Sequence, residues 1–534
     1  MTFRLGSLRL GSLMVTALVA ALLAGMTALA AESTARAADT PPGAQISDSL
    51  EYVGRVPDSS MIVEGKFDTV AGRDVLVTTG RYGFRTYDVG NPAAPRLLDA
   101  FQPPEILGAN GYWQDEDMEL DVRRKLIIGA LDPRHDNVDQ ASCPGIGALG
   151  AKTRNPGCRS GFYVISYADP ANLQQVGDFV ELPVGHTTSC IEGCDYVWTG
   201  GPARRNDLAY LGPFTPGGRG DGRPIWVTNL KDAAHPETFP KPIDLWRNDG
   251  LTDYSHDVDV DAAGIAWTSG RGGLLGYATR DKWRDPRTGK VRVAKPWDPI
   301  LVAGGGIEGG SDGVAQPQTD FIHNSTRPLN GQVHASGVKD GNIALMTEED
   351  FTQPCAQGGR IVAADITDSL GGAPAVNSTP EHPFRMTALS AFHPTQDASD
   401  TAAPTDSCSA HYFELSGSTL AAAWYGQGLR LIDASNARNL RQVGYYYVTG
   451  TDPATNPSSL SWDTAWHGDL IYLFDMSRGI EILRLRGGPS ASAHLPTVHD
   501  PRATRDPLAA RPVRDATSYS LVCPVFAVPG KGTS

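Results

Sequence analysis

Basic residues are scarce: 46 Lys and Arg face 60 Asp and Glu in 534 residues, a formal net charge of −14. So acidic a chain lacks the cations that neutralise nucleic-acid phosphates, and the same deficit argues against anionic membrane surfaces. Long apolar runs are missing too; beyond residue 31 no stretch could span a bilayer. Cysteine is sparse, at 7 residues, and neither a Cys-x-x-Cys pair nor a His-Glu-x-x-His sequence occurs. Glycine and proline, by contrast, number 59 and 39, which excludes a long helical architecture. An apolar share of 40% and 10 Trp spread along the chain exclude pervasive disorder. What these exclusions leave is a large, loop-rich, all-β protein.

The first residues read as an export signal. Arg4 and Arg9 precede a run of Leu, Ala, Val and Met that ends at Ala31, and Ala28-Leu29-Ala30 offers the small residues a signal peptidase reads. Residues 1–31 are expected to be a signal peptide, with an uncleaved anchor as the alternative, and the mature protein to be secreted, extracellular and monomeric. An oxidising compartment permits disulfides. Cys190 and Cys194 are spaced to close a hairpin turn, Cys143 and Cys158 bracket a Gly-rich loop, Cys355 and Cys408 remain as a third pair, and Cys523 is left over. No second pair matches the Cys-x3-Cys spacing, which disfavours zinc there.

One pattern recurs: a Gly, a short apolar strand ending in Asp or Asn, a Pro-containing turn, and a strand ending in Val-Gly. Gly83 to Val89 leads into Asn91-Pro92, Gly161 to Ser166 into Asp169-Pro170 and Val176-Gly177, and Gly428 to Asp433 into Val443-Gly444. Further copies begin at Pro224, Gly273, Gly359 and Gly479. Each follows another apolar stretch, such as Val75-Leu76-Val77 or Ile471-Tyr472-Leu473, as the strands of an antiparallel hairpin do. Such units cannot bury both faces alone and must stack around an axis. The seventh lacks its own Val-Gly strand, and Leu50-Glu51-Tyr52-Val53-Gly54 supplies one. The pattern predicts an all-β, seven-bladed β-propeller of four-stranded antiparallel blades over residues 49–488, closed by an N-terminal strand. Residues 32–48 are expected to be flexible and 489–534 a low-complexity, mostly disordered tail. Residues 132–159, 200–222, 280–320 and 366–407 lack strand periodicity and read as rim insertions, where binding sites gather.

These Gly-strand units, with their Asp-Val/Ile/Ala turns and Asn/Asp-Pro pairs, resemble the LVIVD-repeat propeller family over nearly all of residues 50–487. The resemblance implies the architecture. Most members of that family have no established reaction, so it implies little about activity.

Histidines stand at matching places in successive units. His186, His256, His334 and His411 lie nine or ten residues before the first apolar strand of their unit, His323 stands earlier in the unit of His334, and Glu116 or Asp117 takes the place in the second unit. This offset falls on the innermost strand of a blade, so the imidazoles converge on the axis and could share one metal ion at about 2.0–2.1 Å. Four neutral nitrogens suit copper or iron, and zinc less well, with Glu116 as a fifth ligand or as a partner of the ligands. A structural ring, each His hydrogen bonding to the next blade, is the competing reading. The placement is similar to that in carotenoid cleavage oxygenases, which hold Fe(II) with four axial His, and in selenium-binding proteins that act as methanethiol oxidases. That similarity implies oxidation of a small-molecule substrate, with His186, His256, His323 and His411 as ligands and His334 as substitute.

Two functions stay open. One is a secreted metal-dependent oxidase or oxygenase. The other is a non-catalytic propeller that binds an extracellular protein or glycan at the cell surface through its rim loops. Two acidic groupings are weaker signals. Thr347-Glu348-Glu349-Asp350 reads as a solvated turn, with Ca2+ as the alternative. Asp257, Asp259 and Asp261 alternate along one strand face without the Gly of a Ca2+ loop.

Overall fold

The computed structural model describes residues 39–58, 61–103, 116–131, 159–182, 184–201, 225–243, 254–271, 273–307, 322–349, 359–377, 384–392, 394 and 409–498. Their strands form seven consecutive antiparallel units, of which the fourth and fifth are joined into one eight-stranded sheet by a short parallel pairing of their outer strands. The first runs Ile62–Val70, Arg73–Gly80, Gly83–Asp88 and Arg96–Phe101, each strand paired with the one before. The next five are built alike on the innermost strands Glu119–Asp121, Thr187–Ile191, Tyr254–Val260, Ile322–Thr326 and Phe413–Ser416. The seventh runs Ser461–His467, Leu470–Asp475 and Gly479–Leu485. Its fourth strand is Leu50–Pro57, in which Leu50 pairs with Leu485 and Pro57 with Gly479.

Central strands are apolar on both faces. Leu126–Leu131, Thr419–Trp424 and Leu470–Asp475 are buried at every residue. Alternation disappears because each face packs on a different neighbour. Val75, Val77 and Phe84 of the first sheet meet Ile127, Tyr163 and Ile165 of the second. Clusters of the same kind join each later pair. Tyr472, Phe474 and Ile480 of the seventh sheet meet Leu76, Tyr87 and Val89 of the first. The architecture is a β-propeller.

The polar punctuation of the repeat has a local cause. Asn91, Asp169, Asp232 and Asn436 each accept, through a side-chain oxygen, the backbone N–H two residues on, at 3.1–3.2 Å. These turns join the third strand to the fourth. Gly479 has φ +92°, and a Cβ there would lie 2.2 Å from the Val56 carbonyl oxygen, so the closing strand requires glycine.

The boundaries differ from expectation in two ways. Ala44–Ile46, inside the segment expected to be flexible, pairs with Tyr446–Val448 as a fifth strand of the sixth sheet. Pro489–His494, inside the expected tail, is a 3-10 turn whose Ser492 and Ala493 carbonyls accept from Arg441. Ala44, Ile46 and Leu495 lie against one apolar cluster, and that burial orders both pieces. Two expected insertions also contain blade strands. Ile300–Ile307 is the outer strand of the fourth sheet and Arg385–Phe392 that of the fifth. In both the pairing slips by one residue, at Val302 and at Leu389, which breaks the period of a strand. Cys190 and Cys194 form a disulfide across the turn between Thr187–Ile191 and Tyr196–Gly200, with Cα atoms 4.3 Å apart. Residues 1–38, 132–158 and 202–222, with Cys143, Cys158, Cys355, Cys408 and Cys523, lie outside the described residues. Among the described residues, no helix is long and apolar enough to cross a membrane.

A chain beginning at Asp58 lacks the outer strand of the seventh sheet and exposes the edge of Gly479–Leu485. It is expected to elute from size exclusion as aggregate, whereas Leu483→Ala keeps the monomer and loses about 2–5 kcal/mol in urea denaturation. A monomeric, cooperatively folding truncation would show that this strand is dispensable.

Candidate metal centre

Four of the seven innermost strands share an irregularity. Their pairing to the second strand slips by one residue at Val63, His256, His323–Asn324 and Trp462. A bulge leaves one residue out of the ladder and re-aims its side chain. His186 and His411 sit at the same level of their hairpins, donating their backbone N–H to the Gly200 and Ala423 carbonyls. The repeat therefore presents one residue per blade to the axis.

From the second to the sixth blade these residues are Glu116, His186, His256, His323 and His411, all fully buried. His186 Nε2 lies 3.0 Å from His256 Nε2 and 3.0 Å from Glu116 Oε2. His256 Nε2 is 3.2 Å and His323 Nε2 3.7 Å from that same oxygen. Glu116, His323 and His411 form a second set of donor atoms, all within 4.8 Å of one another. The rings of His256 and His323 are 4.0 Å apart and those of His323 and His411 3.9 Å.

Backbone carbonyls set the tautomers. His256 Nδ1 lies 2.9 Å from the His323 carbonyl oxygen and His411 Nδ1 2.6 Å from that of Trp462. A carbonyl only accepts, so each Nδ1 carries the hydrogen and the neutral ring keeps a bare lone pair on Nε2. Burial pushes the His256, His323 and His411 imidazoles down, His411 to about 3. Burial alone would push the Glu116 carboxyl up, but the His186 charge and a hydrogen bond from His186 hold it well below the usual carboxylate range. A buried anion amid basic nitrogens is a donor set for a cation. Neighbouring ligands on a transition ion with bonds of about 2.1 Å are about 3.0–3.4 Å apart, the scale of the His186–His256–Glu116 triangle.

His334 does not join the cluster. Its side chain is 53% exposed and pairs with Asp340, 3.0 Å away. The inner strand of its unit carries His323, and the connection that follows takes His334 to a backbone bridge with Asn436. Glu348 and Glu349 are not a solvated turn: both are buried. Glu348 is paired with Arg360. Glu349 accepts from the Tyr425 hydroxyl at 2.5 Å and stands 3.9 Å from His411 Nε2. With the first carboxylate held by an arginine, the pair makes no Ca2+ cage.

Aromatic residues complete the surroundings. Trp462, Tyr425 and Tyr412 lie against His411 with ring centroids 4.3, 4.8 and 4.9 Å away, and Tyr412 also meets His323 edge-on at 4.6 Å. Trp462 carried a legible signal: it stands nine residues before Ile471, the offset of the histidines. Glu116 opens onto a cavity of about 800 Å³ that Lys66, Asp117, Asp257, Tyr412 and Asp463 also line. Lys66 Nζ lies 2.9 Å from Asp117, 3.3 Å from Glu64 and 3.4 Å from Glu119.

No protein-family model matches the chain, and no curated protein matches it. Among solved structures it is similar to the extracellular domain of a protein described as a one-component system from B. thetaiotaomicron, with 12% identity and a TM-score of 0.42 over 82% of this chain and 40% of that one. It is similar to the Swd1 β-propeller domain of Myceliophteria thermophila, with 10% identity and a TM-score of 0.40 over 82% and 99% of the two chains. The periplasmic gluconolactonase of Pseudomonas aeruginosa follows, with 13% identity and a TM-score of 0.39 over 75% and 90%. The chain thus spans less than half the length of the first of these. At such scores the propeller assignment rests on the strand pairing, and no activity carries across.

The titration of His411 has a sign that can be checked. An unfolded histidine takes up its proton near pH 6.5, whereas the folded one waits until about 3. Between those values the unfolded chain binds more protons, so folding stability falls as the pH drops. Asp259 and Glu414, pushed up to about 6 by burial, act in the opposite sense, so the difference between two proteins is the informative quantity. In chelator-treated protein, His411→Asn is expected to lose less stability than the parent between about pH 7 and about pH 5 in urea denaturation. Equal losses would contradict the burial of a neutral imidazole.

Proposed function

We propose that the axial cluster holds one transition-metal ion, and that the protein is an exported metal-dependent oxidoreductase acting on a small molecule. The observation that carries this reading is the sharing of Glu116 by two fully buried donor sets, one with His186 and His256 and one with His323 and His411, drawn from five consecutive blades. Copper or iron is favoured over zinc, because five nitrogen and oxygen donors exceed the four of a structural zinc site and include no thiolate. The Cys190–Cys194 disulfide supports an oxidising compartment, and the repeat supports LVIVD-type membership.

A redox-active ion held there supplies electron transfer and Lewis acidity that the side chains lack. The rest is the work of the chain. Glu116 keeps a negative charge on the axis that offsets part of the charge of a cation. The His323 and Trp462 carbonyls fix His256 and His411 as Nε2 donors. Trp462, Tyr425 and Tyr412 shield His411 from water. The cavity beside Glu116 admits a small molecule to one side of the cluster.

The test is elemental mass spectrometry on untagged protein, with circular dichroism to confirm folding. Copper or iron near one equivalent per chain is expected, and its loss in both His256→Ala and His411→Ala. A folded chain that takes up no transition metal, even on reconstitution, would overturn the reading and favour a non-catalytic propeller that binds a protein or glycan.

A further inference from the structure

The cavity above Glu116 is predominantly acidic. Among the described residues its lining holds nine carboxylates against one lysine and one arginine. Lys66 answers those of Glu64, Asp117 and Glu119, and Arg327 answers Asp261 at 3.1 Å. Among the described residues, the Asp257, Asp259, Glu414 and Asp463 carboxylates have no cation within ion-pair distance, and they come from the fourth, sixth and seventh blades. Glu414 is occupied by the Trp466 backbone N–H at 2.5 Å. Asp257 is only partly satisfied: it is 5% exposed and hydrogen bonds to the Asp117 carboxyl and the Val258 backbone, but its Oδ1 accepts no hydrogen bond. A buried carboxylate oxygen without a donor is costly, and its position in the cavity wall points to a ligand that supplies one.

The spacing of the acids decides between ligands. A single divalent ion needs several oxygens converging on one point. Among the described residues, the metal-compatible sets are the two built on Glu116 and the histidines, and no set of wall carboxylates converges. The volume, about 800 Å³, is that of a pocket for an organic molecule. Phe67, Trp466 and Tyr412 share the wall and suit methylene groups and alkylammonium heads. The ammonium of Lys66, among three carboxylates, already shows the chemistry that this wall recognises.

We infer that the cavity binds a linear aliphatic diamine or polyamine, with one ammonium donating to Asp257 and another held near Asp463. As an assignment of substrate class this rests on the metal reading above; as a binding site it does not.

The experiment is isothermal titration of spermidine, putrescine and a neutral diol of matching length into the full chain, with and without prior chelation. Saturable binding of the amines is expected in both forms, with none for the diol. Affinity should fall on the order of tenfold in Asp257→Asn and again in Asp463→Asn, the second variant guarding against misfolding of the first. Amine binding in a chain that takes up no transition metal would sink the metal reading and leave this one standing. The proposal is overturned if the folded protein binds no amine, if the diol binds as tightly, or if both variants bind amine unchanged. It is overturned equally if the acids bind Ca2+ or Mg2+ and exclude spermidine.

Discussion

Burial of both faces of every sheet is the constraint on which the rest of this structure depends. A sheet with two apolar faces finds partners for both only between two neighbours, and a ring gives every sheet two neighbours. Seven interblade clusters, the last joining the seventh blade to the first, meet that condition. The innermost strands then face the axis with little but one another for company, so their polar groups must pair from blade to blade. Thr187 Oγ1 donates to the His256 carbonyl at 2.6 Å, His256 to that of His323, and His411 to that of Trp462.

This chain of hydrogen bonds reconciles two readings that look opposed in the sequence. A histidine has two ring nitrogens with separate duties. In His256 and His411, Nδ1 ties one blade to the next while Nε2 faces the axis. A structural histidine ring and a ligand set are then the same residues used twice. Glu116 separates the two. A structural ring has no need of a fully buried carboxylate, whose desolvation is costly unless a cation or several donors compensate it. The axis is also lopsided: polar donors come from the second to the sixth blade, while Val63 of the first and Trp462 of the seventh belong to an apolar cluster with Tyr412, Tyr425 and Met476.

Much of this was legible in the sequence, and the failures have physical causes. The Gly-strand-Asp units gave the blades, because Asx turns and tight glycines recur wherever the third strand turns into the fourth. The closing strand was legible because the seventh unit lacks a partner that Leu50–Pro57 supplies. The outer strands Ile300–Ile307 and Arg385–Phe392 were not, since a one-residue slip at Val302 and at Leu389 breaks the alternation that marks a strand. His186, His256, His411 and Glu116 share a constant offset from the strand that follows, whereas His323, on the inner strand of its unit, stands outside that offset. His334 satisfied the offset and failed, because its unit already had an inner residue in His323. Glu349 was missed for a different reason: three acidic residues in a row look solvated until an arginine and a tyrosine from elsewhere reach them.

The acidic wall of the channel fits a molecule organised for binding rather than for maximal stability. Carboxylates from the fourth, sixth and seventh blades share one cavity, and like charges so enclosed repel. Between the first and second blades the chain resolves the repulsion itself, by placing Lys66 among Glu64, Asp117 and Glu119. A lysine at Asn324 or Thr464, which line the same cavity, would do as much for the remaining acids, yet both positions are neutral. Burial, reinforced by the neighbouring Glu414 and Asp117 charges, pushes the Asp463 carboxyl well above its usual range. A fold whose every sheet is otherwise matched to its neighbours departs from internal consistency here, and such departures concentrate where a ligand completes the site.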